Sequence, residues 1–172
     1  MKLPSYAEYS IRPGDLFGIL RGPAARRCVS YIRLGQYFRA RGRGWLAKFF
    51  SNRLQSYGLY ISPQAIISRY VKFPHPTSIV IGKGVIIEER VKIYQGVTLG
   101  GARIGDFERD NYPTIGAGAV IFSGAAIVGR VSVGKECIVG ANSVVLSDMP
   151  DGAVCVGAPA KVVSSKHVET DR

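Results

Sequence analysis

One period governs what this chain can fold into. From Ile61 onward an aliphatic residue returns every six positions: Ile61 and Ile67, then Ile81, Ile87, Ile93 and Leu99, then Ile115, Ile121, Ile127, Val133, Val139 and Val145. Four residues after most of these stands a small or β-branched residue: Ala65, Val71, Thr77, Val85, Val91, Val97, Ala119, Ala125, Val131, Cys137 and Ser143. Glycine often follows the aliphatic residue, as at Gly82, Gly100, Gly116, Gly134 and Gly140. Six is a multiple of the strand period of two and not of 3.6, so positions i and i+4 face one side of a strand. A hexad is too short for a strand and an ordinary hairpin, so the chain must turn a corner each time. Glycine permits that backbone, and the small residue fits the narrow apex. The period therefore predicts a mainly-β chain, a left-handed parallel β-helix with three hexads per triangular coil and a dry aliphatic interior. A sandwich of ordinary strands does not require a constant six-residue phase.

The phase breaks in three places. Two extra residues fall between Phe73 and Ile81, in "FPHPTSIVIG". Sixteen positions separate Leu99 from Ile115, so residues at about 100–114 leave the wall as an extended loop. "SDMPDGAVC" is the last excursion before "VGAPAKVV". Long loops on a compact scaffold are where function concentrates.

Residues 1–58 lack the period. They read as one or two basic, aromatic helices broken at Gly42 and Gly44, with Trp45, Phe49 and Phe50 among arginines. Residues 59–163 are the β-helix and 164–172 a tail containing His167. Charge divides the same way. Residues 1–72 hold 13 of the 23 Lys and Arg against Glu8 and Asp15 alone, while residues 73–172 hold ten of each sign. A helical cap over the solenoid end is the first role of this segment. Peripheral contact with an anionic membrane is a second. Nucleic acid ranks last because no recognition motif is present. No apolar run reaches the ~18 residues of a membrane span, the N-terminus shows no secretion signal, and Cys28, Cys137 and Cys155 form no disulfide framework. These point to the cytoplasm, or to the inner face of its membrane.

The stretches "PHPTSIVIGKGVII", "IYQGVTLGG", "YPTIGAGAVI" and "VGANSVVLSDMPDGAVCVGAPAKVV" come in the order found in hexapeptide-repeat acyltransferases. Over residues 57–163 the chain resembles serine O-acetyltransferases and, equally, the related polysaccharide O-acetyltransferases. The resemblance implies a homotrimer with acetyl-CoA in the groove between subunits, a hydroxyl-bearing acceptor and no metal. It makes His75 the general base, because imidazole titrates near neutrality and can take a hydroxyl proton. Gly100 and Gly101 become candidates for backbone oxyanion donors. It places Gly101, Ser123, Gly124, Ala125, Gly140 and Ala141 along the CoA arm, and Lys161 at its phosphates. A zinc hydratase on the same solenoid needs three histidine ligands, and this chain has two histidines.

The acceptor region departs from the serine pattern. Where the serine enzymes carry two aspartates and an Arg-His pair, this chain has Tyr60, Pro74, Asn111 and Tyr112. From that departure a sugar hydroxyl of a surface polysaccharide or its lipid-linked precursor is the expected acceptor. Serine is the alternative, and an inactive trimeric scaffold the second alternative. Tyr60, Tyr112, Glu108, Asp110 or a backbone carbonyl are the candidates to orient His75.

Overall fold

The computed structural model describes residues 10–106 and 108–165. His167 lies outside them. Three helices come first: α1 (Pro13–Arg21), α2 (Ala24–Ala40) and α3 (Gly44–Gln55). Of the two expected breakers, Gly42 lies between α2 and α3 while Gly44 is the first residue of α3, and α1 is one helix more than the sequence pattern suggests. Five coils follow. The first holds β1 (Tyr60–Ile61) and β2 (Ile66–Ile67); the second β3 (Val80–Ile81), β4 (Ile86–Ile87) and β5 (Lys92–Ile93). The third holds β6 (Thr98–Gly100), β7 (Thr114–Ile115) and β8 (Val120–Ile121); the fourth β9 (Ala126–Val128), β10 (Ser132–Val133) and β11 (Ile138–Val139). The fifth holds β12 (Val144–Val145) and β13 (Ala153–Val156), and β14 (Lys161–Ser165) folds back antiparallel on β13. The expected tail boundary at 164 therefore moves to the end of β14.

Strands stack in parallel on three faces, β1-β3-β6-β9-β12, β2-β4-β7-β10 and β5-β8-β11-β13 with β14 at its end. This is the left-handed parallel β-helix. Each coil's N–H groups donate to the carbonyls of the next, as in Tyr60 N to Ile79 O and Val80 N to Val97 O, both 2.9 Å. Every aliphatic residue of the period is at most 4% exposed, and they form one continuous column. Thr77 is the exception among its small partners. It is exposed, and Ile79, fully buried, takes the inward place two residues later.

The first coil has no coil beneath it, so its carbonyls need other donors. The helices supply them. Ser51 Oγ donates to Ile61 O at 2.6 Å and Gln36 Nε2 to Ala65 O at 3.0 Å, on the ladder positions a lower coil would fill. Arg33 and Arg39 reach the carbonyls of Arg69 and Gln64. Asp15, 2% exposed, binds Arg33 at 2.8 Å and Arg69 at 2.7 Å and ties α1 to the first coil. Cys28, Ile32 and Leu54 join the solenoid core at that end. Three of the N-terminal cations, Arg33, Arg39 and Arg69, thus serve the cap.

Candidate functional site

Register fixes where the two extra residues sit. Phe73, Ile93, Ile121, Val139 and Cys155 stack in one buried column, as the pairing of the third face requires. The next column outward is Pro74, Tyr94, Phe122, Gly140 and Val156. The column after it is set by Gly96 N bonding Thr77 O and Gly124 N bonding Gln95 O, which aligns Thr77, Gln95 and Ser123. His75 and Pro76 are therefore the insertion. They lie on the edge where the chain passes from the third face to the first, and His75 projects into solvent. Proline on both sides fixes φ near −65° and stiffens that bulge. The turn just below it is Tyr57–Gly58–Leu59; a Cβ on Gly58 would stand 3.6 Å from Ser78 N.

Around His75 the wall is aromatic. The Tyr94 ring is 6.2 Å from the imidazole, and Tyr94 stacks on Phe122 at 5.2 Å. Among the described residues no side chain hydrogen-bonds the imidazole. Further along the same edge Gly140 is bare because the Val156 side chain occupies the space: a Cβ there would meet Val156 Cγ1 at 2.7 Å. Lys161 pairs with Val156 and ends the column, exposed. His75, Ser123, Gly124, Gly140, Ala141 and Lys161 thus share one edge. Gly124 turns it with φ +71° against Asn142. Ala125 departs from its assignment: it is fully buried, pointing into the solenoid, so its methyl cannot line a groove.

The rest of the expected site is elsewhere in the chain. Gly100 ends β6 on the opposite edge of the first face, and Gly101, Asn111 and Tyr112 belong to the loop that leaves there. Asp106 is the knot of that loop. Its carboxylate accepts from the amides of Ala102 and Arg103, both at 2.7 Å, and from Asn111 Nδ2 at 2.9 Å. The Asn111 bond, with the backbone amides behind it, holds the Asp106 carboxyl below the usual carboxylate range. Asn111 is thereby spent on the loop. Tyr112 lays its ring across Gly82 and Gly84, where a Cβ on Gly82 would come to 2.6 Å of the ring. Asp110 pairs with Lys83 at 3.5 Å, and Glu108 is exposed on the same loop. Of the proposed orienters only Tyr60 stands at the His75 end of the first face, exposed on β1. Sequence reasoning passed over Asp106, Tyr94 and Phe122. Tyr94 and Phe122 each follow an inward isoleucine, so alternation alone marks them as outward.

The thiols take no part in this edge. Burial pushes Cys28 up to about 11. A hydrogen bond to Cys155, reinforced by burial, raises Cys137. The same hydrogen bond lowers Cys155, and all three are free thiols buried inside the fold. Among the described residues no cluster of His, Cys, Asp and Glu could hold a metal ion, and no helix is long and apolar enough to cross a membrane.

No protein-family model matches the chain. Its similarity to individual proteins is extensive. It is 40% identical over 137 residues to a serine acetyltransferase of Haemophilus influenzae, covering 79% of this chain and 51% of that one. It is 41% identical over 128 residues to a serine acetyltransferase of Helicobacter pylori, covering 74% of this chain and 70% of that one. A solved serine acetyltransferase in complex with CoA superposes with a TM-score of 0.73 at 34% identity, over 87% of this chain and 66% of that one. The chain spans about half the length of the first of these relatives. Each is a serine acetyltransferase, so the comparisons reverse the order of acceptors expected from sequence and lend the polysaccharide no support.

Proposed function

The chain belongs to the serine acetyltransferase family of hexapeptide-repeat acyltransferases, and from that premise we propose that it transfers acetyl from acetyl-CoA to the hydroxyl of serine. One observation carries the acetyl-CoA reading. The outward column from Pro74 to Val156 runs through four coil intervals, roughly 19 Å at ~4.8 Å each. It has a histidine at one end and a lysine at the other. That length and chemistry suit an extended pantetheine arm, with the thioester at His75 and phosphate at Lys161. Tyr94, Phe122 and Val156 give the arm an apolar wall.

The chemistry follows from this placement. His75 takes the proton of the acceptor hydroxyl as its oxygen attacks the thioester carbonyl. The tetrahedral oxyanion needs donors, and backbone amides near Gly100 and Gly101 are the candidates. The imidazolium then returns the proton to the departing CoA thiolate. In one chain the base and these glycines stand on opposite edges of a face. A second copy that brings its loop edge against the His75 edge completes the site, and a cyclic trimer closes that contact on itself.

A second reading keeps the donor and changes the acceptor to a sugar hydroxyl. It is favoured by Tyr60, Pro74, Asn111 and Tyr112 standing where the resemblance puts charged serine-binding groups, and by the Tyr94–Phe122 stack beside His75, since aromatic rings offer an apolar platform. Free-thiol release from acetyl-CoA, measured against L-serine and a panel of free and lipid-linked sugars, separates the two. Saturable turnover with L-serine upholds the first reading; turnover on sugars alone replaces it with the second. No thiol release with any acceptor, by protein that binds CoA, contradicts both.

A further inference from the structure

Helix α3 carries an aromatic face that the fold leaves uncovered. Its inner side is Ala47 and Leu54, both at most 2% exposed, with Phe50 stacked on Phe38. On its outer side Trp45 is 74% and Phe49 48% exposed, one helical turn apart on the same face. Lys48 and Arg53 are exposed beside them, the Arg53 guanidinium 5.3 Å from the Phe49 ring, and Arg43 immediately precedes the helix. Helix α1 repeats the pattern with Leu16, Phe17 and Leu20 exposed and Arg26 over Phe17 at 6.0 Å. Both helices pack on α2. From Leu16 to Ile87 the sequence contains no acidic residue.

We propose that the α3 face docks on an anionic lipid surface, with Trp45 and Phe49 entering the headgroup boundary and Lys48, Arg53 and Arg43 meeting lipid phosphates. The proposal is independent of which hydroxyl the enzyme acetylates. Three occupants could cover an exposed aromatic face, and the chemistry selects among them. A second copy would set these cations against their own equivalents, with no carboxylate in the whole acid-free stretch to offset them. A nucleic-acid duplex would satisfy the charge, but its phosphate backbone gives the exposed Trp45 and Phe49 side chains nothing apolar to enter. An anionic bilayer answers both features at once, since apolar burial and charge attraction add at its interface. The cap is also the end of the solenoid nearest His75, because the Tyr57–Leu59 turn leaving α3 lies directly under the His75 bulge. Docking by α3 therefore brings the catalytic edge close to the surface.

Trp45 is the only tryptophan in the chain, so its emission reads this face alone. With vesicles of equimolar phosphatidylcholine and phosphatidylglycerol the emission is expected to shift to the blue and the protein to float with the vesicles. Phosphatidylcholine alone should leave both unchanged, and raising salt to ~0.5 M should release the protein as the charges are screened. Trp45→Ala with Phe49→Ala should abolish flotation while CoA binding and melting temperature stay as in the parent. Unchanged emission with the anionic vesicles overturns the proposal, as does undiminished flotation of the double variant. A mass change on that substitution would instead assign the face to a second copy. An equal blue shift with duplex DNA or RNA would assign it to polyanions.

Discussion

The two ends of the molecule satisfy the same backbone in different ways. From the second coil upward, every coil is held by its neighbours: main-chain donors meet main-chain acceptors, and one buried aliphatic column runs through all of them. At the first coil the neighbour is missing. Side chains from the three helices stand in for it, Gln36 of α2 and Ser51 of α3 on ladder carbonyls and Asp15 of α1 as the bridge to Arg33 and Arg69. The solenoid is redundant, with many equivalent residues. The cap is singular, with each bond made once. Damage to the wall should therefore be absorbed or fatal according to chemistry, whereas damage to the cap should act locally and in proportion to the bond removed.

The largest effect expected is in the wall. Ile121→Asp places a carboxylate in a dry interior where no partner exists, at a cost of several kcal/mol that exceeds much of a domain's stability. Soluble expression should be lost, while Ile121→Val should fold with a loss of about 1 kcal/mol by thermal melting. In the cap, Asp15→Ala leaves Arg33 and Arg69 without their shared anion. A buried pair broken in this way costs about 3–5 kcal/mol, and Arg33 is one-third exposed, so about 2–3 kcal/mol is expected by denaturant titration. The same carboxylate makes the cap acid-sensitive. Burial pushes Asp15 up, but the Arg12 amide and the Arg33 and Arg69 guanidiniums outweigh it and hold the group below its ordinary value. Its contribution is thus complete above the usual carboxylate range and is lost as pH falls through the lowered value. Amide exchange in α1 should rise there before exchange in the coils. Smaller still is Gln36→Ala, which removes the donor to the buried Ala65 carbonyl and should cost about 1–3 kcal/mol. Equal losses from wall and cap substitutions of similar size would erase the distinction between the two regions.

The same contrast explains what could be read from sequence. The wall was legible because its constraint is periodic: each coil repeats the question of which residue points inward, and Ile61 through Val145 answer it in phase. Even the break was legible as a slip of two. That His75 and Pro76 are the extra pair, and that Ile79 replaces Thr77 inside, depends on which backbone groups bond between coils. The cap bonds have no period. Asp15 as nearly the only acid among the first 72 residues was the one signal available, and it named no partner. The loop behaves like the cap. Asp106 binds two amides and Asn111, a knot that spacing does not announce. The candidate site could be named in sequence as a set of residues and not as a place. Stacking puts His75, Ser123, Gly140 and Lys161 on one edge, turns Ala125 inward, and sends Gly100, Gly101, Asn111 and Tyr112 to the other.

The central claim is that the His75 edge binds the thioester donor and that His75 is its base. The most direct measurement compares the parent with His75→Ala for CoA binding by calorimetry and for thiol release from acetyl-CoA with acceptor present. Unchanged CoA affinity is expected, with turnover reduced by at least ~10²-fold, the scale of a positioned general base. A variant that binds CoA and turns over at the parental rate would contradict it.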